Sequence, residues 1–187
     1  MKTITSASQT PHLHQVLGAP QFAEQHSGIV EAGPAVVWDA LHRLRWTDLS
    51  TTRPLLWIRG LAPGILGDRL VETFTERAGA VLSEDPPNRL LLVMVGKPWS
   101  LVPQHAAATS LDEARSFAEP GWLKYGMEWV LHPLEDSRTL VETRTLCVAT
   151  DSSARRTFRA YWKVVRPFSG ALRRDMISAL RRLSAST

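Results

Sequence analysis

The stretch that decides the fold is "FRAYWKVVRPFSGALRR", Phe158 to Arg174, which sets four aromatic rings among five basic side chains around Pro167. Advancing about 100° per residue separates these two populations. The basic residues Arg155, Arg159, Lys163, Arg166, Arg173, Arg174 and Arg181 fall on one side of the helical wheel. Phe158, Tyr161, Trp162, Val165, Phe168, Leu172, Met176, Leu180 and Leu183 fall on another. Ile177 is an exception that lands among the bases, and Arg182 lies between the stripes. The apolar stripe is expected to keep its phase across Pro167, so the proline reads as a bend within one long helix opened by Asp151 or Ser152. Aromatics that stack on bases must stand beside the cations that hold the phosphates. Segregated faces argue against a nucleic-acid partner and for a helix laid across a large apolar surface.

Working back from this helix, "LKYGMEWVL" (Leu123–Leu131) and "TLVETRTLCVAT" (Thr139–Thr150) read as two strands joined by "HPLEDSR". Arg89 to Val95, Gly79 to Glu84 and Leu70 to Ala78 carry strand character between turn signals such as "EDPPN". The six residues "SLDEAR" fit either a helical turn or a loop. Pro54 to Arg59 reads as a short helix. "QFAEQHSGIVEAGPAVVWDAL" gives a strand ending near Ala32 that feeds straight into a helix, with Pro34 at its first position. Strands run consecutively and helices flank the run, which argues an α+β fold with an antiparallel sheet.

The 187 residues, 44% hydrophobic and 21% charged, suit one globular domain over residues 21–187. Residues 1–20 show no apolar periodicity and are expected to form a flexible tail without the apolar core of a signal peptide, and the chain reads as cytoplasmic. The net charge of +4 is carried by residues 151–187, which hold nine Lys/Arg against two Asp. That basic face allows peripheral contact with an anionic membrane. With Cys147 alone there is no internal disulfide. Neither a phosphate loop, a dinucleotide fingerprint, a nucleophile elbow nor a zinc spacing is present, so no cofactor is expected.

"GIVEAGPAVVWDAL" (Gly28–Leu41), "VETRT" (Val141–Thr145) and "FRAYWKVVRPFSGALRRDMISALRR" (Phe158–Arg182) together resemble the START/Bet v 1-like superfamily, of polyketide cyclase and lipid-transport type. The resemblance spans roughly Phe22 to Leu183. It implies a helix-grip fold, in which a curved antiparallel sheet wraps a long C-terminal helix and two short helices follow the first strand. It also implies an internal cavity for an apolar or amphipathic small molecule.

On that expectation Tyr125, Met127 and Trp129, which alternate along one strand, face Tyr161, Trp162 and Phe168 of the helix, with Trp99 near one mouth. Arg144, paired with Glu142 among apolar neighbours, could anchor a polar head group, or act with Tyr125 or Tyr161 in a cyclase- or dehydratase-type reaction. The alternative is an outward cross-strand pairing for Glu142 and Arg144. Asp48, Asp112 and Glu113 have no partner at catalytic spacing. Leu90 to Val95 is apolar at every position, so both faces of that strand must be covered, either by the N-terminal tail or by a second copy of the chain in a homodimer.

Overall fold

In this computed structural model, which describes residues 11–50, 67–100, 102 and 104–186, every strand pairing is antiparallel. Helix α1 (Leu13–Leu17) precedes β1 (Phe22–Val30), which leads into α2 (Pro34–Arg43). A 3-10 turn (Trp46–Asp48) follows, then the short α3 (Leu70–Glu72), which continues as a π turn over Thr73–Arg77. Strands β2 (Val81–Asp85), β3 (Arg89–Lys97) and the two-residue β4 (Gln104–His105) come next. Helix α4 (Leu111–Ser116), β5 (Leu123–Pro133), β6 (Thr139–Ala149) and the 34-residue α5 (Ser152–Ala185) complete the chain. The sheet runs β1-β6-β5-β3-β2, with β4 pairing beside the end of β3. This is an α+β helix-grip architecture with a curved, unclosed sheet.

Three local readings change. Leu70 to Ala78 is a helical turn followed by a π turn, not a strand, because Leu70 and Val71 are adjacent buried residues that strand alternation cannot place on one face. "SLDEAR" is helical: the Ser110 side chain accepts from Glu113 N, while Glu113 in return accepts from Thr109 N. The helix expected at Pro54–Arg59 lies outside the described residues.

The sheet buries both faces. On the inner face, Leu90, Leu92, Met94, Met127, Trp129, Leu131 and Val141 pack with Val37 and Leu41 of α2 and with Met176, Ile177 and Leu180 of α5. On the outer face, Leu91, Val93, Val95 and Leu146 pack under Leu13, Val16 and Leu17 of α1 and Ala114 of α4. The period-two pleat sends alternate β3 residues to opposite cores, which is why the apolar run is continuous. The cover on the outer face is thus the N-terminal segment itself. From Leu13 to Leu17 that segment is a buried helix and not a flexible tail.

Helix α5 opens where Asp151 accepts hydrogen bonds from Ser153 N (2.6 Å) and Ala154 N (2.8 Å), satisfying donors that the first helical turn leaves free. Gly121 N also donates to this carboxylate, tying the helix start to the chain entering β5. The three contacts hold the Asp151 carboxyl below its usual range.

Candidate site beneath the gripped helix

Strand register lays the inner face out in rows running across β1, β6, β5 and β3. One row reads Phe22, Cys147, Tyr125, Met94; the next Glu24, Thr145, Met127, Leu92; the next His26, Thr143, Trp129, Leu90. The second and third rows are polar on β1 and β6 and apolar on β5 and β3. The floor under α5 is therefore amphipathic across its width.

Helix α5 adds a charge to this floor. Arg173 is only 5% exposed. Its Nη2 donates to Thr145 Oγ1 at 3.0 Å, its Nη1 lies 3.2 Å from Met127 Sδ, and its guanidinium sits 5.9 Å from the centroid of the Trp129 ring. Beside it, Glu24 Oε1 accepts from His26 Nε2 at 2.7 Å. Gly170, one turn before Arg173, passes so close that a Cβ there would stand 2.6 Å from Glu24 Oε1. Burial lowers the Arg173 pKa to about 10, while the negative charge of Glu24 works in the opposite direction. Burial likewise pushes the Cys147 thiol and the Tyr125 phenol up, so both stay protonated at neutral pH. Among the described residues, three buried polar atoms of this patch have no hydrogen-bond partner: Glu24 Oε2, Thr143 Oγ1 and Arg173 Nε.

Next to the polar patch lies an aromatic wall. Phe158 is buried against Phe22 (ring centroids 4.9 Å apart), Trp162 (5.6 Å), Tyr161 (5.8 Å) and Trp99 (6.0 Å). Tyr125 borders both this cluster and the main core, so it joins the wall to the polar patch.

The expected site residues divide accordingly. Tyr125, Met127 and Trp129 face the helix, and Trp99, Tyr161 and Trp162 meet around Phe158. Arg144 does not belong with them. It shares the outer face with Leu146, and its Nη2 donates to Glu142 Oε1 at 2.9 Å, while Glu142 also accepts from Gln25 and His132. Burial raises the Glu142 pKa, but Arg144 and His132 outweigh this and hold it low, as in a structural ion-pair network. The Glu142–Arg144 pair thus cannot act on a molecule under the helix. Phe168 is 43% exposed, so it turns outward rather than down. Asp48 accepts from Arg45 N and Asp112 pairs with Arg115, both local contacts.

Arg173 was expected on the solvated face. Before Pro167 the buried helix residues are Ala154 and Phe158; after it they include Gly170, Arg173, Met176, Ile177 and Leu180. The apolar stripe keeps its phase, since Met176, Ala179 and Leu180 stay buried on it with Leu172 packed alongside, but beyond the proline the buried face widens to take in Gly170, Arg173 and Ile177. Ile177 among the bases is the signal of this widening, since Arg173 sits one turn before it on the same face.

A surface hollow of about 440 Å³ is lined by Asp39, His42, Arg43 and Arg69, without an aromatic wall. Another, of about 220 Å³, is bordered by Ala23, Glu24, Gln25, Arg144 and Leu146.

The fold defines the class: a curved antiparallel sheet that grips a long C-terminal helix, the helix-grip architecture. Neither a family model nor a curated protein matches the chain. Among solved structures the chain is similar to a conserved protein from Geobacillus kaustophilus, at 11% identity over 88% of this chain and 96% of that one, with a TM-score of 0.46. It is also similar to the Zhui aromatase/cyclase of Streptomyces sp. R1128, at 15% identity over 87% and 95%, with a TM-score of 0.34. Norcoclaurine synthase of Thalictrum flavum shows 16% identity over 100% and 99%, with a TM-score of 0.37. The assignment of architecture stands on strand order, register and the seated helix.

Proposed function

We propose that the protein binds an amphipathic small molecule between α5 and the inner face of the sheet. Its apolar body would lie against the aromatic wall of Phe22, Trp99, Phe158, Tyr161 and Trp162. Its polar end would meet the patch of Glu24, Thr143, Thr145 and Arg173. The observation that carries this reading is that patch: an apolar interior holding polar atoms with unmade hydrogen bonds, each of which costs about 1–3 kcal/mol if nothing satisfies it. Proteins keep such groups where a polar ligand group meets an apolar pocket. Native mass spectrometry of the purified protein and thermal shift across long-chain alcohols, fatty acids and aromatic polyketides test it. Retained small-molecule mass or a raised midpoint supports it, and neither would dismiss it.

A second surface favours a membrane as the place of exchange. Val164 is 66% exposed and stands one turn from the exposed Phe168, with Arg159, Lys163 and Arg166 exposed toward the opposite side of the helix. A helix with exposed apolar side chains on one side and cations on the other suits an anionic bilayer better than a phosphate backbone, which offers the apolar groups nothing. Among the described residues no helix is long and apolar enough to cross a membrane, so the contact would be peripheral.

A further inference from the structure

Resting on the small-molecule reading above, the chemistry of the polar patch narrows the ligand class. Glu24 and Arg173 carry opposite charges on the same side of the sheet, the Glu24 side chain only 9% exposed. They feel each other's charge, yet their bonded atoms are engaged elsewhere: Glu24 Oε1 by His26, and the Arg173 Nη atoms by Thr145 and the Met127 sulfur. What remains is a carboxylate oxygen that only accepts, a guanidinium N–H that only donates, and the Thr143 hydroxyl, which does both.

A ligand carboxylate would satisfy Arg173 Nε. It would also bring a second negative charge beside Glu24 and leave Glu24 Oε2 without a donor. An ammonium would satisfy Glu24 but add a second cation beside Arg173. Like charges in an interior of low dielectric repel far more strongly than they do in water. A neutral O–H carries both a hydrogen for Glu24 and lone pairs for Arg173, with no added charge. Cys147 and Tyr125 stay protonated, so they leave the balance of the patch unchanged near pH 7.5. We infer that the site selects an apolar alcohol or phenol over the acid or amine of the same skeleton.

Calorimetric titration at pH 7.5 with 2-naphthol, 2-naphthoate and 2-naphthylmethylammonium reads this selection on one ring system. The wild-type protein is expected to bind 2-naphthol about 10-fold or more tightly than either ion, because a site built around a hydroxyl rejects analogues that leave its buried groups unpaired. Glu24→Gln should narrow the gap to the naphthoate, and Arg173→Met should narrow the gap to the ammonium while weakening 2-naphthol. Equal or tighter binding of either ion by the wild-type protein overturns the hydroxyl assignment and leaves the small-molecule reading standing. Binding of none of the three by folded wild-type protein overturns both. If the variants fail to fold, the wild-type order of affinities still decides.

Discussion

Arg173 shows how a single side chain can run against stability when it serves a site. Its guanidinium has lost its water and has gained one hydroxyl and two thioethers as near neighbours, and among the described residues it makes no ion pair. A pKa lowered to about 10 means that the charged form is penalised in the folded state relative to the unfolded chain. The penalty is present at every pH below about 10 and is relieved as the pH rises beyond it. Replacing a buried ion by an apolar side chain of similar volume is often stabilising, by about 1–4 kcal/mol. Arg173→Met is therefore expected to raise the urea midpoint at pH 7, with a gain that shrinks above pH 10. A loss of more than about 2 kcal/mol at pH 7 would show that the surroundings compensate the cation fully. From sequence, an arginine on a wheel of arginines looks solvated. Only its i+4 neighbour Ile177 betrays the burial.

At the scale of elements, the long helix, its cap, strands β3, β5 and β6 and the inward set Tyr125, Met127 and Trp129 are legible, because period and spacing report directly on which face is buried. What periodicity does not carry is how close two elements come. Helix α5 approaches β1 most tightly at two glycines. A Cβ on Gly28 would stand 2.7 Å from Arg181 Nη2 and 2.8 Å from Ile177 Cγ2. The guanidinium can swing away, but buried Ile177 cannot, so Gly28→Ala should destabilise by about 1–3 kcal/mol through overpacking. At Gly170 the obstacle is the mobile end of Glu24, and alanine favours a helix over glycine by about 1 kcal/mol. Gly170→Ala should therefore hold its thermal midpoint while shifting the His26 ring resonances, since Glu24 must turn. Equal losses at both positions would contradict this. The cap adds a pH signature. Because the Asp151 carboxyl is held low in the folded state, its stabilising contribution is present at neutral pH and fades as pH falls through the folded pKa. Asp151→Ala should lower the midpoint at pH 7, and the gap between the two proteins should begin to close only once the pH falls below about 4 and narrow further through the lower folded pKa, as thermal melts across that range would show.

Across the whole molecule, the helix-grip sheet has to hide two faces, and it hides the outer one with its own N-terminus. Five residues of helix, with His12 as the cap and His14 within it, carry too few apolar positions for any period to emerge, which is why α1 reads as tail. Its anchor is polar as well as apolar. His12 Nδ1 lies 3.0 Å from Glu128 Oε1 and His12 Nε2 lies 3.0 Å from Arg89 Nη2, placing one imidazole between a carboxylate that is 1% exposed and a guanidinium. Glu128 keeps a longer contact of 3.5 Å to Arg89, so the strap completes a buried charge arrangement as well as covering apolar surface. Removing residues 1–19 would uncover Leu91 and Val93 and hydrate Glu128. Full burial of side chains such as Leu13, Val16 and Leu17 contributes about 1.5–3 kcal/mol each, partly offset by the entropy of ordering them. The truncated protein is expected to lose about 2–5 kcal/mol and to self-associate through the bared face, a patch that soluble monomers rarely leave open. Light scattering coupled to size exclusion, with urea melts of both forms, reads both effects. A truncated chain that remains monomeric with an unchanged midpoint would mean that α4 alone suffices to cover the sheet.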